Sequence, residues 1–238
     1  MELVELTPRV HLIRPAFGQA YVVRDGSRLT LVDTGVPGSE ADLAAAFAEL
    51  GYRRGDLRRI VLTHGHEDHV GAAAALRDWG DVEVLAHGAD APVVRGERRR
   101  AEPTVTAAER PLYDQVTAAI LQPPPCPVDT ELTDGDTLDV GGGALVVGTP
   151  GHTDGSIALW LPEMGVLLPG DTVATGPDGP ILGPFNVDRG AALASAAALA
   201  ALPAAVVGVG HGDPVLDAGA WRAFAALCAE GAVPDPLG

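Results

Sequence analysis

Thr63-His64-Gly65-His66-Glu67-Asp68-His69 places three imidazoles and two carboxylates directly after the short apolar run 60–62. A packed core has little use for adjacent groups that must each be desolvated and paired. A metal centre does, because neutral imidazole nitrogens and carboxylate oxygens are standard ligands for zinc and related ions. Residues 60–63 read as a buried strand and 70–77 as a helix, so the cluster lies in a strand-to-helix loop. Such a loop turns several side chains towards one point, whereas a straight strand would alternate them between two faces.

Three more candidates follow the same logic. His152 stands in Thr149-Pro150-Gly151-His152-Thr153, Asp171 in Pro169-Gly170-Asp171-Thr172, and His211 in Gly210-His211-Gly212. Each follows a strand-like apolar run (144–147, 166–168 and 205–209), which places it in a loop held by rigid elements. His11 and His87 stand apart and read as ordinary surface or core histidines.

In this order the residues resemble the metallo-β-lactamase-fold hydrolases, whose pattern is H-x-H-x-D-H, then a lone His, a lone Asp and a final His. His64, His66, Asp68, His69, His152, Asp171 and His211 fill every position, and Val32-Asp33-Thr34-Gly35 matches the family's early D-[TS]-G segment. The resemblance runs from about residue 8 to about residue 215 and is closest to the glyoxalase II and lactonase-like branch. It implies an α/β fold, a four-layer αββα sandwich with the metal site in a cleft at one edge. It also implies a ligand partition: His64, His66 and His152 on one metal, Asp68, His69 and His211 on a second, and Asp171 between them. The implied cofactor is two zinc ions, with iron or manganese as other occupants of a His/carboxylate site. The implied activity is a binuclear hydrolase whose metal-bridging hydroxide cleaves a small carbonyl ester, thioester or lactone. Asp68 would also carry a proton to the leaving group, and Asp33 would orient a ligand histidine through its ring N–H. Two alternatives stand beside this one: a mononuclear iron sulfur dioxygenase, and a metal-stabilised binding protein without turnover. The dioxygenases carry an Arg-bearing segment where this chain has Gly176-Pro177-Asp178-Gly179. The diiron flavoprotein branch has Glu at the position of His66.

Composition narrows the partners. The net charge of −16 opposes binding to phosphate backbones, so a small molecule is the expected substrate and nucleic acid is not. The chain has no lysine, and its apolar runs are too short to span a membrane. Its start, Met1-Glu2-Leu3-Val4-Glu5, does not read as a secretory leader, so the expected location is cytoplasmic. Cys126 and Cys228 are expected to be reduced, and neither falls in the metal motif. The oligomeric state is not legible.

The expected organisation is one domain over 1–238 with an inserted segment at about 88–128. Further strands are expected at 10–13, 20–24, 29–33, 82–86, 137–140 and 157–161, with Asp25-Gly26 as a hairpin turn. Helices are expected at 40–50, with Ser39 as N-cap, and at 107–121, 191–202 and 219–230. Glu67 and the arginine-rich run 95–100 read as solvated, the latter as a helix face. Tyr113, Gln115, Phe185, Asn186 and Arg189 are candidates for substrate contact.

Overall fold

A computed structural model describes residues 1–15, 18–119 and 121–234. The first sheet contains β1 (Glu2–Thr7), β2 (Val10–Arg14), β3 (Ala20–Asp25), β4 (Arg28–Val32), β5 (Leu57–Leu62), β6 (Glu83–His87) and β7 (Thr130–Leu132), in chain order. The first four strands pair antiparallel and β4 to β7 pair parallel. In the second sheet β8 (Thr137–Leu138), β9 (Ala144–Gly148), β10 (Ile157–Leu161) and β11 (Val166–Leu168) pair antiparallel. The hairpin β12 (Val173–Gly176) and β13 (Gly179–Leu182) follows, and β14 (Val206–Val207) then joins β11 in parallel.

Period-two alternation divides the side chains among three cores. In β3, Ala20 and Val22 face a core shared with Leu43 and Phe47 of α1 (Glu40–Glu49), while Tyr21 and Val23 face the other sheet. In β10, Leu159 and Leu161 meet that middle core, while Ala158 and Trp160 turn outward. The helices on the first sheet also include α2 (Glu67–Val70), α3 (Ala73–Arg77) and α4 (Ala91–Val94). A fifth helix, α5 (Arg110–Ala119), buries none of its residues. Helices α6 (Arg189–Ala200) and α7 (Ala218–Ala229) contribute Leu199, Trp221 and Phe224 to the third core. The result is the four-layer αββα sandwich. Both faces of the central strands are covered, so they read as unbroken apolar runs. No helix among the described residues is long and apolar enough to cross a membrane.

Several expectations change. The helix expected at 70–77 is two short helices broken at Gly71, where α2 must turn the ligand loop inward. Residues 95–100 form a turn, a bend and irregular chain, not a helix face. The helix expected at 107–121 is α5, and Ile120 lies outside the described residues. Ser39 occupies the N-cap position of α1, but its side chain makes no capping hydrogen bond. Strands β1, β7, β12 and β13 and helix α4 were not expected. Cys126 and Cys228 are both free and buried in different cores, as reduced thiols require.

Gly71 permits the close approach of the α2–α3 break to the chain after Asp33. A Cβ there would lie 2.3 Å from the carbonyl carbon of Val36 and 2.4 Å from the nitrogen of Pro37, both backbone atoms. Gly71→Ala is expected to lower stability by about 1–3 kcal/mol in urea titration. Gly55→Ala, with nothing within 4 Å of the new Cβ, is expected to stay within about 0.5 kcal/mol of the parent.

Candidate metal centre

The seven motif residues converge at one end of the sandwich, beyond the ends of β5, β9, β11 and β14. His66 caps α2 in an extended conformation, and its carbonyl accepts the N–H groups of His69 and Val70. That single turn swings Asp68 and His69 into the interior. Asp171 lies in a 3-10 turn after β11. Gly210 is held by its N–H to the Gly170 carbonyl, which sets His211 beside Asp171. Gln19 and Tyr21 brace the same loop: Gln19 Nε2 donates to the Val209 and Gly210 carbonyls, and the Tyr21 hydroxyl donates to Val209.

Two donor groups result. His64, His66, His152 and Asp171 form one, and Asp68, His69 and His211 the other; within each, the ligand atoms lie within 4.8 Å of one another. Asp171 links them. Its Oδ1 lies 3.2 Å from His69 Nε2, and its Oδ2 lies 3.3 Å from His211 Nε2 and 3.5 Å from His152 Nε2. Asp68 Oδ2 lies 3.1 Å from His211 Nε2.

The electrostatics divide the histidines. Burial, then neighbouring imidazoles, holds His64 and His66 well below the ordinary histidine range. Burial also lowers His152. These three are neutral, the form that ligates cations. Burial opposes charge on His69 and His211 as well, but Asp171 and Asp68 outweigh it, raising His69 well above its ordinary value and His211 to about 10. Burial would raise Asp68 and Asp171, yet His69 and His211 hold both below the usual carboxylate range.

The donor set fits a divalent cation. His64 Nε2, His69 Nε2 and Asp171 Oδ1 are buried at the site without a hydrogen-bond partner. An unsatisfied buried polar atom costs about 1–3 kcal/mol, and a cation shared by these atoms removes that cost.

Two carboxylates outside the donor groups set the geometry. Asp33 Oδ1 accepts the Thr63 N–H at 2.7 Å, and Oδ2 accepts both the Thr63 hydroxyl at 2.7 Å and His69 Nδ1–H at 2.8 Å. The Thr63 hydroxyl has thereby spent its proton, so its oxygen accepts from His64 Nδ1–H at 3.0 Å. Asp33 thus aims one histidine of each group, directly for His69 and through Thr63 for His64. It adopts a left-handed backbone, φ 59°, to do so. The second carboxylate, Asp90, was not legible in the sequence. Its Oδ2 accepts the Gly65 N–H and the Thr153 hydroxyl, both at 2.8 Å, and its Oδ1 accepts the Gly155 N–H at 3.0 Å. It ties the loop of His64 and His66 to the loop of His152.

A cavity of about 250 Å³ opens above the donors, floored by His66, Asp68, His152, Asp171 and His211. Tyr113 and Phe185 line it, as expected. Gln115 is exposed on the other side of α5, and the buried Asn186 holds the Gly183 carbonyl instead. Arg189 begins α6 and does not line the cavity. Glu67 is not solvated: its Oε1 accepts from Arg100 Nε at 3.1 Å and Gln122 Nε2 at 3.0 Å, which ties the chain at both of those residues to the donor loop. His11 is buried in β2 and His87 ends β6, both away from the donors.

A family model for the metallo-beta-lactamase superfamily matches residues 13–211. The chain belongs to that superfamily. A metallo-beta-lactamase family protein from Thermus thermophilus superposes with a TM-score of 0.69 at 30% identity, covering 95% of this chain and 81% of that one. The probable metallo-hydrolase YflN of Bacillus subtilis (strain 168) is 30% identical over 72% of this chain and 66% of its own length. A hydroxyacylglutathione hydrolase of Cereibacter sphaeroides is 28% identical over 65% of this chain. The match spans 47% of that enzyme and just under two thirds of YflN.

Asp33→Asn keeps a side chain that tolerates the left-handed backbone but loses one acceptor. Its affinity for zinc, measured by competition with a chelating dye, is expected to fall about 10–100-fold. Asp90→Ala strands the Gly65 and Gly155 N–H groups, at about 1–3 kcal/mol each. Denaturant unfolding of the metal-free protein reads that loss directly, and a midpoint equal to the parent's would remove Asp90 from this role.

Proposed function

We propose that this chain is a metal-dependent hydrolase that uses two divalent cations, zinc first among them, to cleave a small carbonyl ester, thioester or lactone. The observation that carries this reading is the pair of donor groups meeting at Asp171. His64, His66 and His152 would hold one ion, Asp68, His69 and His211 the other, with Asp171 shared. Metal ions bound there supply a nucleophile from water at neutral pH and polarise the substrate carbonyl.

The remaining work falls to the protein. Asp33 fixes the ring orientation of His69 and, through Thr63, of His64. Asp90 keeps the two ligand loops in register, so the donors are aligned before substrate arrives. Asp68 Oδ2, beside His211 at the cavity floor, accepts the proton released from water and passes it to the departing oxygen or sulfur. The apolar cavity wall limits water near the reacting carbonyl. Gly176-Pro177-Asp178-Gly179, standing where the dioxygenases carry an Arg-bearing segment, supports the hydrolase over the mononuclear iron alternative. The charge of −16 supports a small substrate over a phosphodiester polymer.

Elemental mass spectrometry of the purified protein tests this first. About two metal ions per chain are expected, with a lower melting temperature after chelation. Turnover of an ester, thioester and lactone panel is expected to disappear on chelation and return with zinc. About one iron per chain with no second metal taken up, together with oxygen consumption on persulfides, would replace this reading with the dioxygenase.

A further inference from the structure

The wall of the cavity over the donor groups differs from its floor. Helix α5 lies across it with Leu112, Tyr113, Val116 and Thr117 facing inward, and Phe185 and Pro184 close the opposite side. Residues spaced i, i+1, i+4 and i+5 share one helix face. The Tyr113 and Phe185 rings meet edge to face at 5.2 Å. Yet α5 buries no residue, and Leu112 remains 43% exposed. The apolar face of the helix is therefore turned towards a cavity, not a core. That arrangement is costly unless something apolar completes it.

Charge narrows what does so. Arg100 is the only arginine lining this cavity among the described residues, and the chain contains no lysine. Its guanidinium is committed: Nε donates to Glu67 at 3.1 Å and a terminal nitrogen to the Tyr113 hydroxyl at 3.4 Å. The Arg100–Glu67 pair is neutral, so the cavity wall offers no side-chain cation to a charge at the far end of a substrate's acyl arm. A larger groove of about 570 Å³ lies beyond this pair, between Val93, Arg98 and Pro123–Pro125, and meets none of the donor residues except through Glu67's loop.

We infer that the substrate carries an uncharged aliphatic acyl group of about four to eight carbons, seated under α5 against Leu112, Val116 and Phe185, with its carbonyl over the donor groups. The inference rests on the hydrolase reading above. Its size limit comes from the cavity, about 250 Å³: an apolar cavity of about 150 Å³ takes benzene, so this one takes about ten heavy atoms, the carbonyl oxygen and the leaving atom among them. The acyl arm, not the leaving group, occupies this space. The leaving oxygen or sulfur gathers negative charge as the bond to the carbonyl carbon breaks, and an apolar wall opposes charge.

The test is a series of p-nitrophenyl esters and matched thioesters hydrolysed by the zinc-loaded protein. From acetyl to hexanoyl, kcat/KM is expected to rise about fourfold per methylene and to fall beyond about octanoyl. An ester with a terminal carboxylate on an otherwise equal acyl chain is expected to react at least about tenfold more slowly. Leu112→Asp and Val116→Asp, on a helix outside the cores, are expected to flatten the series. Calorimetric binding of hexanoate and acetate to the parent gives a second readout, with hexanoate expected to bind more tightly. A flat or falling series, or a rate governed by chain length in the leaving group, overturns the acyl pocket alone. Absence of turnover across the whole series, acetyl included, and across the lactones of the panel above, together with a stable metal-loaded protein, overturns the hydrolase reading itself.

Discussion

The carboxylate of Asp33 sits where the first sheet hands the chain to the metal loop, and three hydrogen bonds radiate from it. Two end on Thr63 and one on His69. Because the Thr63 hydroxyl gives its single proton to Asp33, it can only accept from His64. One buried anion therefore determines which nitrogen of His64 and which nitrogen of His69 faces inward, and it does so in both donor groups at once. The left-handed backbone of Asp33 is a local cost of about 1–3 kcal/mol, tolerated because the surrounding strands and the N–H of Asp33 itself, bonded to Val61, over-determine the position.

Asp90 plays the complementary part from the other side. Asp33 orients rings within a loop, whereas Asp90 joins loops contributed by different sheets. The glycines beside the buried carboxylates are small for a steric reason. A Cβ on Gly155 would stand 2.6 Å from the Asp90 nitrogen, and one on Gly210 would stand 1.9 Å from Asp171 Oδ1. The backbone comes so close to the buried carboxylates that side chains would displace the groups they surround.

How much of this was legible in the sequence follows from the range of each interaction. The donor residues could be read because their spacing is local and their chemistry leaves few other uses for them. The central strands could be read because burial on both faces leaves unbroken apolar runs. Asp90 could not, because Gly88-Ala89-Asp90-Ala91 resembles any turn and its partners come from distant loops. The break at Gly71 depends on its contact with Val36 and Pro37, which no local pattern encodes. Glu67 looked solvated because its partners, Arg100 and Gln122, lie far along the chain from it. The hairpin β12–β13 was hidden by Pro180, which occupies a strand with the composition of a loop.

Helix α5 stands outside the three cores that hold the sandwich together. Substitutions on its face towards the cavity leave the buried strands and the donor loops untouched, so they draw little on the stability that the rest of the fold requires. Under selection, such a helix is free to change which molecules are admitted while the chemistry beneath it stays fixed. The same scaffold can then diversify by drift in a single exposed segment, without first acquiring compensating mutations elsewhere.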